Sequence, residues 1–197
     1  MKKVAILIFD KVEVLDFAGP IEVFSVSYDN DRNKLYDVCL IAEENRLIKA
    51  RNNFLAQPNL TIDTEEKFDM VVIPGGFGTR TEMHNEVIKN WIKKRFDQVE
   101  LMLSVCTGSL VLATSGLLEN ISATTHHAAF DELAAVAPNT TIVKNTKYVD
   151  NGKVVTSGGI SAGIEMALHI VARHHGIEQA RRTANYMEYT WNEQEKY

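Results

Sequence analysis

Two cysteines, Cys39 and Cys106, occur in the 197 residues, and one of them sits where a sulfur can do chemistry. Leu101–Val105 is a largely apolar run of the kind that forms a buried parallel strand. The run stops at Cys106. Thr107-Gly108-Ser109 then open a second apolar run, Leu110–Ala113, which reads as a buried helix closed by Gly116. A cysteine on such a turn is lifted out of the core at the carboxyl edge of a sheet, where α/β proteins bind ligands. The amides at the helix start would favour thiolate over thiol. The turn is then the sulfur counterpart of the nucleophile elbow of serine hydrolases. Cys39, inside another apolar segment, reads as an inert core residue.

Three further groups fall at the same edge of an α/β sheet. Asp16 follows the first apolar run. It is either a turn or helix-capping aspartate, or a partly buried acid that hydrogen-bonds to the sulfur, shuttles a proton and titrates together with it. Gly75-Gly76 ends a third run and is either a plain tight turn or, with the Thr107 amide, a set of donors for developing negative charge. His126 and His127 follow a short strand; they are loop histidines, or the source of a base that completes a Cys–His pair. Glu165, His169, His174 and His175 lie along or just after one helix. With no further ligands in view they read as helix-surface and helix-end residues, not a metal site. No metal or organic cofactor is called for.

The elements that must position these groups alternate along the chain. Strands are expected at Val4–Phe9, Tyr36–Ala42, Asp69–Ile73 and Leu101–Val105, with shorter ones at Ser122–Thr125, Thr141–Val143, Lys147–Val149 and Lys153–Thr156. Asp150-Asn151-Gly152 is a strong hairpin turn. Helices are expected from Pro20 to about Tyr28, with Pro20 in the first position, then at His84–Phe96, Ala128–Ala137, Ser161–His174 and Ile177–Tyr189. Leu47-Ile48 and Leu60-Thr61-Ile62 read as short strands or a hairpin appended to the sheet, and Asn192–Tyr197 as a loose end. The alternation predicts an α/β fold, a doubly wound, mostly parallel sheet sandwiched by helices, as one domain over residues 1–197.

Composition narrows the partners. Hydrophobic residues make up 45% and the formal net charge is -5, which describes a globular chain without a nucleic-acid surface. No apolar run is long enough to span a bilayer. The opening MKKVAILIFDKVEV meets Asp10 too soon for a leader and reads as a first strand. Without an export signal, and with two cysteines, the expected setting is the cytoplasm and no structural disulfide is expected.

Taken together, LDFAGPIEVF (Leu15–Phe24), IPGGFGTR (Ile73–Arg80), VCTGSLVLATSGLL (Val105–Leu118), ATTHH (Ala123–His127) and TSGGISAGIEMAL (Thr156–Leu168) resemble the ThiJ/PfpI superfamily from Val4 to about Tyr189. That superfamily has the flavodoxin-like, class I glutamine amidotransferase-like fold. The aspartate in the first segment and the threonine after the cysteine look like its isonitrile hydratase branch, which also resembles the sensor domain of some AraC-type regulators. The regulators carry a helix-turn-helix region after this domain, and the sequence ends before one. The resemblance implies that Cys106 is a nucleophile, Asp16 its acidic partner and Thr107 an orienter of water or substrate. It implies an anion hole from the Gly76 and Thr107 amides, a small electrophilic substrate and a homodimer. The glyoxalase and deglycase branch has glutamate where this chain has Asp16, and the hydratase-like branch usually has tryptophan where it has His127. The activities to weigh are isonitrile hydration, amide or reactive-aldehyde chemistry in which His126 takes a larger part, and ligand or oxidation sensing without turnover.

Overall fold

Strands buried on every residue need cover on both faces, and three of the central strands here are of that kind. In the computed structural model, which describes residues 1–193, β1 (Lys2–Leu7) is followed by α1 (Val14–Ser25) and β2 (Tyr36–Ala42). Next come β3 (Ile48–Lys49), β4 (Leu55–Ala56), β5 (Leu60–Thr61) and β6 (Met70–Ile73). The middle of the chain gives α2 (Thr79–Glu82), α3 (Glu86–Gln98), β7 (Leu101–Ser104), α4 (Gly108–Thr114), β8 (Ser122–Ala123) and α5 (Phe130–Val136). The last third gives β9 (Thr141–Ile142), β10 (Tyr148–Asp150), β11 (Val154–Ser157), α6 (Ala162–His175) and α7 (Ile177–Tyr186). The loose end expected from Asn192 lies, from residue 194 on, outside the described residues.

The main sheet has seven strands in the order β10-β11-β7-β6-β1-β2-β5. All neighbours run parallel except β10, which returns antiparallel through the Asp150-Asn151-Gly152 turn. Every residue of β6, β7 and β11 is buried, as is Val4–Leu7 of β1. Helices α1, α6 and α7 pack together, and α4 packs with α2, α3 and α5. Segment 43–63 splits between two structures: β3 and β4 form a separate antiparallel hairpin, while β5 joins the sheet edge beside β2. β8 pairs with β9 apart from the main sheet.

The first helix departs most from expectation. It starts at Val14, so Asp16 lies in its first turn and Pro20 sits in its interior. A proline there has no N–H to give to the carbonyl four residues back, that of Asp16. Close packing is what the Gly19-Pro20 pair serves. A Cβ on Gly19 would be 3.0 Å from Ile164 Cγ1, and one on Gly163 of α6 would lie 3.6 Å from Pro20 Cγ. Small residues let α1 and α6 approach closely.

Elsewhere the elements fall within a few residues of their expected bounds, since apolar periodicity marks interiors better than ends. Among the described residues no helix is long and apolar enough to cross a membrane.

Gly108 shows how tightly the start of α4 is fitted to the sheet. A Cβ there would meet Ile73 O at 2.0 Å. In urea unfolding, Gly108→Ala is expected to lower the unfolding free energy by about 3 kcal/mol, because backbone cannot move aside as a side chain can. Gly116→Ala, at φ +78 but in open space, is expected to cost about 1 kcal/mol. Equal costs at the two positions would contradict this packing.

Candidate active site

Four adjacent parallel strands, β11, β7, β6 and β1, deliver their carboxyl ends to one place. β7 delivers Cys106 at φ +57, in the left-handed region that a residue with a side chain rarely adopts. The turn is tied down on several sides. Cys106 N–H donates to Ser157 O and Gly158 O, at 3.2 and 3.0 Å. Cys106 O accepts from Thr125 Oγ1 at 3.0 Å and Ser109 Oγ at 3.2 Å. Such over-determination holds an unfavourable backbone conformation in place.

β6 delivers Gly75 and Gly76, and the loop after β1 delivers Asp16 through the start of α1. Glu13 N–H donates to Gly75 O at 2.9 Å, and Val12 bridges Gly76. Asp16 is 0% exposed. Its Oδ2 accepts from Gly75 N–H at 2.9 Å and its Oδ1 from Ile160 N–H at 3.1 Å. Gly75 lies against all three partners: a Cβ there would be 2.6 Å from Thr107 N, 2.7 Å from Asp16 Oδ2 and 2.7 Å from Cys106 Cβ. The absence of a side chain at 75 is what lets the carboxyl and the sulfur meet.

Burial dominates the electrostatics. Loss of water pushes the Asp16 carboxyl up to about 7, against the stabilising bonds from Gly75, Cys106 and Ile160. The Cys106 thiol is pushed up to about 12, by burial first and then by the charge of Asp16. The expectation of a thiol lowered by the helix start is therefore corrected. α4 has only seven residues, and the bonds from Thr107 do not offset burial and the neighbouring carboxylate. Asp16 and Cys106 lie within hydrogen-bonding reach and titrate as a pair. Between the two steps the pair holds one proton, and placing it on Asp16 leaves a thiolate beside a neutral acid.

Thr107 completes the floor. Its Oγ1 accepts from Gly76 N–H at 3.0 Å, and Thr79 Oγ1 lies 3.0 Å from it and 2.7 Å from Gly76 O. The Gly75 and Gly76 amides, expected to be open to a developing anion, are thus already engaged, by Asp16 and Thr107 respectively. The Thr107 amide faces the sulfur. His126 packs its ring over Gly159, where a Cβ would lie 2.1 Å from Cδ2. Its Nδ1 accepts from Ala128 N–H at 3.2 Å, which places the proton of the neutral ring on Nε2. Neither nitrogen of that tautomer is free to accept from a thiol. His127 is exposed and lies against His126, ring centroids 4.2 Å apart.

Thr79 and Ile160 were not singled out from the sequence, although both lie inside segments that carry the resemblance. Ile160 is β-branched at φ +57, a conformation no sequence pattern reveals. At the rim, Arg51 pairs with Glu13 at 2.6 Å and lies 4.4 Å over the exposed Phe77 ring. The remaining histidine candidates are engaged elsewhere. His169 Nε2 is 2.7 Å from Asp150 Oδ2, and His174 Nδ1 is 3.1 Å from the Tyr36 hydroxyl. Cys39 is a half-buried thiol in β2, pushed up to about 11 by burial.

Known proteins resemble this chain in sequence and in fold. An isonitrile hydratase from Pseudomonas putida is 30% identical over 190 residues, covering 95% of this chain and 78% of that protein. The HTH-type transcriptional regulator GbdR of Pseudomonas aeruginosa is 23% identical over 177 residues, and the match spans 48% of the regulator. In structure, a ThiJ/PfpI family protein from Pseudomonas syringae superposes with a TM-score of 0.86 at 23% identity, over 98% of this chain and 77% of that one. DJ-1beta of Drosophila melanogaster gives 0.85 at 20% identity, over 96% and 99%. Residues 2–173 match the DJ-1/PfpI family, and the chain belongs to that family.

Proposed function

We propose that the protein is a cysteine-dependent hydratase that adds water to an isonitrile and releases an N-substituted formamide. The observation that carries this reading is the buried Asp16 carboxyl, held between two backbone amides, pushed up to about 7 and adjacent to Cys106. Similarity to the isonitrile hydratase over most of both chains supports it.

The chemistry starts from the singly protonated pair. Cys106 sulfur attacks the terminal carbon of the isonitrile as neutral Asp16 gives its proton to that carbon, forming an S–C and a C–H bond and leaving a thioimidate beside an ionised Asp16. Water, oriented by Asp16 and the Thr107 hydroxyl, adds to the same carbon while its proton reaches nitrogen. The C–S bond then breaks, the hydroxyl proton returns to Asp16, and the formamide leaves. The sum is one isonitrile plus one water, and no metal or organic cofactor enters.

The direct test is turnover of a simple alkyl isonitrile. Formamide should appear with the wild-type protein and vanish with Cys106→Ala. Asp16→Asn should lower kcat by about a hundredfold or more. No formamide from a protein whose Cys106 is intact would overturn the reading and move weight to aldehyde chemistry or sensing.

The pair also sets a pH profile. Below about 7 Asp16 is neutral, Cys106 keeps its proton and no acceptor is at hand. As pH rises through that value the pair loses its first proton, and the thiolate becomes accessible by transfer to Asp16. Alkylation of Cys106 by iodoacetamide should therefore rise through a midpoint near neutrality, although the thiol itself is pushed up to about 12. In Asp16→Asn that rise should move to higher pH; an unchanged midpoint would remove Asp16 from the proton transfer.

The reading includes a homodimer in the cytoplasm. Leu15 and Phe77, next to site residues along the chain, and Ile160, whose amide holds Asp16, expose apolar side chains and support a site that is covered in solution. Sedimentation velocity should give the mass of two chains; a monomer at micromolar concentration would contradict this part.

A further inference from the structure

Away from the catalytic edge, the carboxyl end of α1, the loop after it and α7 enclose a groove of about 610 Å³, a size typical of small-molecule sites. Its lining joins two arginines, Arg32 and Arg182, to two tyrosines, Tyr28 and Tyr186. The tyrosines are 37% and 73% exposed. The floor is polar and already satisfied: buried Thr183 Oγ1 lies 3.1 Å from Ser27 Oγ and 3.3 Å from Gln179 Nε2. The Ser27–Thr183 contact ties α7 to the end of α1, and the Gln179 bond lies within α7.

The arginines are unusual in this chain. Arg46, Arg51, Arg80, Arg173 and Arg181 each pair with a carboxylate. Arg95 donates to the Thr64 and Glu66 carbonyls. Among the described residues, Arg32 and Arg182 form no ion pair. The carboxylate in the lining, Asp29, is consumed by its own turn, accepting from Asp31 N–H, Asn33 N–H and Asn33 Nδ2. Two guanidinium groups against one occupied carboxylate leave the groove positive on a chain of net charge -5. Arg32 also sits at φ +62, where glycine or asparagine would cost less by about 1 kcal/mol. An arginine in that backbone conformation calls for a reason.

We propose that this groove binds a small planar aromatic anion, with the ring against the tyrosine faces and a phosphate or carboxylate on the arginine pair. Tyrosine provides wide, rigid contact area with few rotatable bonds, and a guanidinium presents paired N–H donors that match a phosphate or carboxylate. The assignment is independent of the hydratase reading, since none of these residues touches Cys106 or Asp16.

Isothermal titration of the whole protein tests it, with adenosine 5′-monophosphate and 2-naphthoate as probes and inorganic phosphate and 2-naphthylmethanol as controls. At least one probe should bind one-to-one with a Kd below about 1 mM, and both controls should be weaker by about tenfold or more. Which probe binds tells phosphate from carboxylate. The Arg32→Gln/Arg182→Gln double variant and, separately, Tyr186→Ala should each lose about tenfold in affinity. Both should keep the wild-type melting temperature and Cys106 alkylation rate, which separates loss of the groove from loss of the fold. Binding of neither probe, binding that survives removal of both arginines, or phosphate binding as tight as that of the probes would overturn the proposal.

Discussion

The structure turns on one buried carboxyl group. Asp16 is shut away from water, yet both of its oxygens accept from backbone amides, Gly75 on one side and Ile160 on the other. A carboxylate in that position costs free energy unless it is paired or protonated. Here the cost is met by raising the affinity for a proton and placing the group beside a thiol. What would be a defect in an ordinary core is here a carboxyl that can hold a proton near neutrality next to a sulfur. In the proposed reaction the sulfur reacts through its neighbour, since the thiol itself is pushed up by burial.

That pairing depends on backbone far more than on side chains. The two amides come from loops after β6 and β11, the sulfur from the end of β7, and the carboxyl from the first turn of α1. No two of the four pieces are consecutive in sequence, so their distances are set by sheet register and by how α1 lies on α6. Cys106 and Ile160 are both left-handed and both neighbour the carboxyl. Strained backbone is affordable there because hydrogen bonds from several strands fix it.

The sequence made the layers legible because short apolar runs over Val4–Leu7, Met70–Ile73 and Leu101–Leu103, set between helical segments, fit a parallel sheet covered on both faces. The cysteine turn was legible for the same reason: a strand ends where its apolar run ends. The start of α1 was not, since Pro20 signals a helix beginning and nothing in the local pattern shows that packing against α6 overrides it. Nor was the thiol's environment. Thr107 and Gly108 after Cys106 suggest a helix dipole, but how deeply the sulfur is buried, and how close Asp16 comes, are tertiary facts. Thr79 and Ile160 carried a signal only as members of longer motifs, because a threonine in a turn and an isoleucine near a glycine pair are commonplace one at a time.

Gly75 also has a consequence for how such a protein can change over time. Any side chain there would press into the Asp16 oxygen, the Cys106 β-carbon and the Thr107 amide at once, so the position is closed to the other nineteen amino acids while the pair survives. The same crowding restrains Asp16 and Thr107. Variation that keeps the fold and the pair is therefore channelled outward, to Leu15, Phe77, His127 and Ile160, whose side chains reach solvent. The floor is inherited whole or lost, and change collects at the rim.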